Sequence, residues 1–186
     1  MIFPCIVTRA MVVNTGAVEV ATATNSRYGT ETIGAGKPFT DIQAMWIWVN
    51  SDTNTASTLM RATFSTTISA SAQGMQALLH LIVDDAAEIF LNGALIGSLQ
   101  LGWLASEGKY AYINRPVRLT LALGTNILSV RVTNKAGPAA LLASIFSSDG
   151  STVLARTTGA WTYSVDAANA PGKCYMGLRN ARWALS

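Results

Sequence analysis

The chain has 186 residues and a formal net charge of +3, and its composition is 50% hydrophobic but only 12% charged. This length fits one domain with terminal extensions, and the charged fraction lies well below the roughly 25% of typical soluble domains. The lysines and arginines are scattered and no apolar run approaches the roughly 18 residues of a membrane-spanning helix, so we expect neither a nucleic-acid partner nor membrane insertion.

The first 40 residues, rich in Thr, Val, Ala and Gly, have weak periodicity and predict an extended arm or irregular strands. Pro4 and Arg9 interrupt the only stretch that resembles the hydrophobic region of a secretory signal, so we expect no signal peptide. The pattern changes at residue 41. We therefore expect an N-terminal arm over 1–40, one domain over 41–166 and a C-terminal tail over 167–186.

Alternating apolar and polar residues predict several half-buried strands in the central domain. The apolar members of the three clearest alternations are Met60, Ala62, Phe64 and Ile68, then Val117, Leu119, Leu121 and Leu123, then Leu128, Val130 and Val132. Gly124, Thr125 and Asn126 predict a tight turn that joins the second and third strands as a hairpin. Asn92 and Gly93 predict a second hairpin, because both accept the positive φ of a type I′ turn.

After Pro138 the segments "ALLASIFSS", "STVLA" and "AWTYS" predict further short strands. About eight strands and no amphipathic helix indicate an all-β fold. We expect a two-sheet antiparallel β-sandwich with Greek-key or jelly-roll connections, because the loop lengths are too uneven for an up-and-down barrel.

The order of motifs adds to this interpretation. The segments "AMWIWVN", "MRATF", "LHLIVDDAAEIFLNGALIG", "RLTLALGTNILSVRVTNKAGPAALLASIFSSDG" and "GAWTYS" follow one another over residues 44–164. This series resembles the galactose-binding-domain-like jelly roll, a sandwich similar to carbohydrate-binding modules. The resemblance implies a domain that is often attached to carbohydrate-active enzymes and to cell-surface or virion proteins, where it binds glycans or supports its neighbours.

Two adjacent carboxylates, Asp84 and Asp85, are the most conspicuous candidates for catalysis. Neighbours on one strand point to opposite faces, whereas paired catalytic carboxylates must face each other across a cleft. We expect instead that one of them accepts hydrogen bonds from turn or bulge amides near the hairpin at Asn92 and Gly93. His80, the only histidine, lies in mid-strand, where a hydrogen-bonded or outward-facing side chain is far more common than a catalytic base.

The sequence also contains no motif that indicates a bound metal or cofactor. Cys5 and Cys174 make no zinc spacing, there is no Asp-rich loop for calcium, and no phosphate-binding glycine loop occurs. The two cysteines form either a disulfide between the ends of the chain or two buried free thiols, and the second alternative is favoured. We expect no catalytic residues, no metal and no cofactor.

One long inter-strand segment, residues 100–116, carries the groups that sugar binding requires, namely aromatic faces and nearby polar side chains. The candidate ligand-binding residues are Trp103, Glu107, Tyr110, Tyr112 and Arg115. The alternative is that Trp103 and one tyrosine cap the open end of the sandwich. Trp46, Trp48 and Trp161 lie in predicted strands and are expected to pack in the core or at a sheet edge.

Together these features predict a non-catalytic structural or surface subunit of a larger assembly, such as a virion, phage tail or extracellular array. Its partners are expected to be copies of itself or other subunits, with a glycan as an additional ligand, and its location the virion or the extracellular surface. The arm and tail would make the subunit contacts, so a chain lacking residues 1–40 is expected to fold without assembling. The alternative function is a free-standing lectin-like carbohydrate-binding module.

Overall fold

The computed structural model describes residues 13–14, 16–22, 39, 41–50, 60–84, 86–100, 103–104, 109–110, 116–134 and 139–165, and no helix occurs among them. Their strands are β1 (Val13–Asn14), β2 (Val18–Thr22), β3 (Met45–Trp48), β4 (Met60–Ala70), β5 (Met75–Asp84), β6 (Ala86–Leu91), β7 (Ala94–Gln100), β8 (Trp103–Leu104), β9 (Lys109–Tyr110), β10 (Val117–Leu121), β11 (Gly124–Asn134), β12 (Ala140–Ser147), β13 (Val153–Arg156) and β14 (Thr162–Val165). Over these same ranges no helix is long and apolar enough to cross a membrane.

The strands form two antiparallel sheets and a small ribbon. Sheet A has the order β1-β14-β4-β11-β6-β7, and sheet B has the order β10-β5-β12-β3-β2, with β13 also paired to β12. The ribbon consists of β8 and β9. The two sheets enclose one hydrophobic cluster that draws on both of them.

The strand pairing is that of a jelly roll. Among the eight strands β3, β4, β5, β6, β7, β10, β11 and β12, the first pairs with the last, the second with the seventh, the third with the sixth and the fourth with the fifth. This wrapping places successive pairs alternately in sheet B and sheet A. The predicted all-β, two-sheet antiparallel sandwich with jelly-roll topology is therefore confirmed.

Alternation of side chains sets the faces of the strands. In β11, Leu128, Val130 and Val132 are fully buried between the sheets, as predicted. Ala62, Phe64 and Ile68 of β4 are buried in the same way. Burying each larger apolar side chain contributes about 1.5–3 kcal/mol, so this double row provides much of the stability of the sandwich.

The predicted hairpin between residues 117 and 133 is wrong. β10 pairs with β5 in sheet B, whereas β11 pairs with β4 and β6 in sheet A, so the chain crosses between sheets at residues 122–123. Leu123 lies in this crossing and is 63% exposed, contrary to its predicted inward position. Local alternation and turn residues do not distinguish a hairpin from a crossing, because both need the same short polar connection.

The second predicted hairpin is confirmed. β6 and β7 pair on either side of Asn92 and Gly93, whose φ values are 51° and 81°. These positive values are the ones that a type I′ turn requires. The turn is tied to the neighbouring strand, because the amide of Asn92 donates to the carbonyl oxygen of Ile127 at 2.8 Å.

Residues from the predicted N-terminal arm extend both sheets. β1 pairs with β14 in sheet A and β2 pairs with β3 in sheet B, and Ala17, Ala21 and Phe39 are buried. Deleting residues 1–40 would therefore uncover the edges of both sheets. The expectation that such a chain stays folded remains a prediction, and the deletion would remove Ala17, Ala21 and Phe39 from the hydrophobic clusters.

The three strand-associated tryptophans pack as predicted, with Trp46, Trp48 and Trp161 at most 2% exposed. The ring of Trp48 lies 5.6 Å from that of Phe64 in the cluster between the sheets. Trp46 belongs to a second cluster formed by Ala21, Phe39, Ala44, Ile82, Ala140 and Leu142 around it. Segment 39–44 thus belongs to the packed domain.

Candidate functional site

Most of the short connections of the sandwich lie at one end, and two longer ones lie at the other. At one end, which we call the turn end, four connections are short, namely 71–74, 92–93, 122–123 and 148–152, and the longer connection 23–44 belongs to the same end because Thr22 and Met45 are register partners. At the opposite end, which we call the loop end, the chain leaves and re-enters the sheets through residues 49–59, 101–116 and 135–139. Long connections that meet at one end of a rigid sandwich are a common setting for binding sites.

The segment that carries the predicted ligand-binding residues connects β7 to β10, two strands whose facing termini lie at the loop end. Within this segment the structure forms the ribbon of β8 and β9, in which Trp103 and Tyr110 are register partners. Opposed residues of an antiparallel pair have Cα atoms about 4.5–5.5 Å apart. The backbone thus brings together two of the five predicted residues, an arrangement that the sequence pattern did not indicate.

The other three predicted residues, Glu107, Tyr112 and Arg115, lie outside the described part of the chain, and at Trp103 and Tyr110 only the backbone is described. The prediction that these five side chains bind a ligand stays a prediction. The alternative of Trp103 capping the sandwich likewise lies outside the described side chains.

A polar surface that the sequence analysis missed lies on the outer face of sheet A. Arg131 bonds to the carboxylate of Glu88, with Nε and one terminal nitrogen 2.7 and 2.6 Å from the same Oε2 atom. The guanidinium also lies 5.2 Å from the centre of the Phe90 ring, within cation–π range. Beside them the hydroxyl oxygens of Ser65 and Ser129 are 2.8 Å apart.

This surface continues towards the loop end, where Arg61 Nε donates to Thr133 Oγ1 at 3.3 Å. The signal available in the sequence was the polar half of the β4 and β11 alternations. It could not reveal that Glu88 and Arg131 meet, because they come from strands 43 residues apart. The result is an outward face with guanidinium donors and hydroxyl groups, suited to hydrogen-bond hydroxylated ligands.

On the outer face of sheet B, Ser144, His80 and Asp41 lie near one another without forming a catalytic triad. Ser144 Oγ donates to Asp41 Oδ2 at 2.7 Å, and Arg156 Nε lies 3.0 Å from the same oxygen. In a triad the serine would donate to the histidine and the histidine to the carboxylate. Here the Asp41 carboxylate accepts the hydrogen bond of the serine hydroxyl directly and forms an ion pair with Arg156.

His80 is half-buried and is the register partner of Ser144. Its ring meets the ring of Phe146 edge-on, with centroids 5.1 Å apart. Burial lowers the pKa of His80 below its usual value of 6.5, because desolvation disfavours the charged form. The ring therefore behaves as a neutral packing group near pH 7.

The prediction for the adjacent aspartates concerns side chains that lie outside the described part of the chain. Asp84 ends β5, and its side chain, like all of Asp85, lies outside the described residues. β6 runs from Ala86 to Leu91 between this point and Asn92, a separation of about 20 Å at roughly 3.3 Å per residue. The expectation that one of them accepts hydrogen bonds near Asn92 and Gly93 therefore stays a prediction, and for Asp84 the length of β6 argues against it.

Metal binding finds no support among the described residues, where no group of three or more His, Cys, Asp or Glu could hold an ion. Cys5 and Cys174 lie outside the described ranges, so the choice between a disulfide and free thiols stays open.

No family model and no curated protein matches the chain. A lectin from Pleurotus ostreatus in complex with GalNAc is 24% identical, with a TM-score of 0.48, over 63% of this chain and 34% of the lectin chain. A GH78 family rhamnosidase of Bacillus sp. GL1 is 22% identical, with a TM-score of 0.49, over 65% of this chain and 13% of its own. The PA14 domain of the MpAFP antifreeze protein is 9% identical, with a TM-score of 0.39, over 80% of this chain and 89% of the PA14 chain.

The chain thus spans about a third of the length of that lectin chain and a smaller part of the rhamnosidase. At these identities the likeness concerns the fold alone. The jelly-roll strand pairing is shown by the chain itself.

Proposed function

We propose that the chain is a non-catalytic, lectin-like carbohydrate-binding module whose site lies at the loop end of the sandwich. The observation that carries this proposal is the register pairing of Trp103 with Tyr110 in the ribbon of β8 and β9. Two aromatic residues on adjacent strands provide apolar surface for the CH groups of a sugar ring. Glu107, Tyr112 and Arg115, in the same segment, supply polar groups for its hydroxyls.

The polar face around Arg131 fits the same function, because it extends hydrogen-bonding groups along sheet A towards the loop end. Ser144 does not supply a nucleophile, since its hydroxyl donates to the ion-paired Asp41. These two observations favour a binding module over a hydrolase.

The test is a glycan array that includes galactose- and GalNAc-terminated probes, followed by calorimetric titration of any ligand found. Trp103→Ala is expected to weaken binding by about tenfold or more, which corresponds to about 1.4 kcal/mol. Ile127→Ala, at the turn end, is the matched control and should leave the affinity unchanged. A ligand that binds Trp103→Ala and the unmodified chain equally well would exclude this site.

A second candidate function is a structural subunit of a virion, phage tail or extracellular array, located on the virion or extracellular surface. It is favoured by four exposed apolar side chains near the turn end, those of Leu95, Ile96, Leu123 and Ile127. Contact surfaces in assemblies commonly expose large apolar side chains. Light scattering over a concentration series distinguishes the two functions, because an assembly subunit should form a large defined oligomer and a free-standing module should not.

A further inference from the structure

Residues 13–22, which we call the N-terminal strap, run along the open edge of both sheets. Within the strap β1 is the outermost strand of sheet A, beside β14, and β2 is the outermost strand of sheet B, beside β3. Among the described strands, each strap strand therefore has one neighbour. The strap can leave sideways without breaking the pairing of any other described strand.

Backbone atoms make most of the strap's specific contacts. The amide of Ala17 donates to the carbonyl oxygen of Trp161 at 2.7 Å, and the Glu19 carboxylate accepts a bond from the amide of Gly159 at 2.6 Å. Among the described side chains of the strap, those buried most completely are the methyl groups of Ala17 and Ala21. A second copy of the same segment can satisfy every one of these contacts.

The connection between β2 and β3 has more residues than are needed to join two neighbouring strands of one chain. Thr22 is the register partner of Met45, so the chain returns beside its starting point. Hairpin loops usually take about 2–5 residues, yet residues 23–44 separate these two partners. The sixteen residues 23–38 alone can extend over about 50 Å at roughly 3.3 Å per residue, far beyond the ~10 Å between packed sheets.

We propose that the strap of one chain can occupy the edge formed by β3 and β14 of a second chain, so that copies join by strand exchange. When two chains exchange an identical element, the exchanged element makes the same contacts as it makes within a single chain. A chain's own strap competes at an effective concentration on the order of millimolar. Exchange therefore increases with the local concentration of copies, and it is independent of glycan binding.

The experiment uses two single-cysteine chains, Val13→Cys and Ser164→Cys, each carrying Cys5→Ser and Cys174→Ser. Residues 13 and 164 are register partners of β1 and β14, close enough for a disulfide. The two chains are unfolded together, refolded at increasing concentration and oxidised. A covalent heterodimer forms between them only when the strap of one chain lies on the edge of the other.

The matched control mixes Ser65→Cys with Ser129→Cys in the same background, because β4 and β11 are interior strands that no edge exchange separates. We expect a shift to heterodimer mass in the strap mixture that grows with concentration, and no such shift in the control mixture. Equal heterodimer in both mixtures would overturn strand exchange. The double variant Val13→Cys/Ser164→Cys should close within one chain at low concentration, and its failure to do so would overturn the strap's placement.

Discussion

Asp41 accepts a hydrogen bond from Ser144 Oγ at 2.7 Å, although 103 residues separate them in the chain. Asp41 also accepts a bond from the amide of Gln43 and forms an ion pair with Arg156. These contacts hold the segment that precedes β3 against the outer face of sheet B. The segment there completes the hydrophobic cluster around Trp46, so a polar contact and apolar burial stabilise the same piece of chain.

Asp41→Ala is expected to lower the free energy of unfolding by about 2–3 kcal/mol, since hydrogen bonds to charged groups contribute about 1.5–3 kcal/mol. Chemical denaturation measures this change. The control is Glu88→Ala, which removes a pair whose side chains are 32% and 36% exposed. Exposed pairs contribute about 0.2–1 kcal/mol, so equal losses for the two variants would contradict the structural role of Asp41.

Asn126→Ala is expected to lower the free energy of unfolding by about 3 kcal/mol, because it leaves several backbone groups unpaired. The buried Asn126 amide accepts a bond from the amide of Ala122 at 2.9 Å and donates to its carbonyl oxygen at 2.8 Å, and it also accepts from Asn92. These bonds shape the crossing between the sheets. Thermal unfolding of this variant and of Thr125→Ala, whose side chain is exposed, would show whether the loss is specific.

Leu128→Ala and Ile127→Ala test the face assignment of β11. Leu128 is fully buried between the sheets, whereas Ile127 is 51% exposed on the outer face. Removing the buried side chain should lower the free energy of unfolding by about 2–5 kcal/mol, and removing the exposed one should lower it by about 0.5 kcal/mol. If urea denaturation gave the two variants similar stabilities, the register of β11 would be wrong.

His80 makes the stability depend on pH in a defined direction. Burial lowers its pKa in the folded chain below 6.5, so the unfolded chain binds the proton more readily. This contribution to stability is present above pH 6.5 and is lost as the pH falls through the folded pKa. His80→Gln should weaken the fall in stability on acidification below pH 6.5, as followed by urea titrations. An unchanged slope would show that other groups cause the fall.

Much of the fold could be predicted from local pattern. The alternation in β4 and β11 identified the buried faces, and the Asn92–Gly93 pair identified its hairpin, because pleat geometry and positive φ are properties of a few consecutive residues. The same local rules failed at Gly124. There the chain changes sheets, and the partner strands that decide this are β4 and β5, distant in the sequence.

The candidate site divides in the same way. The composition of residues 100–116 pointed to Trp103 and Tyr110 as aromatic candidates, since residue type is read directly from the chain. Their register pairing, and the meeting of Glu88 with Arg131, came from strand pairing alone. The sequence by itself determined which residues alternate, turn and carry polar or aromatic groups. Only the tertiary structure decided which of them meet, because hydrogen bonding between strands depends on the path of the whole chain.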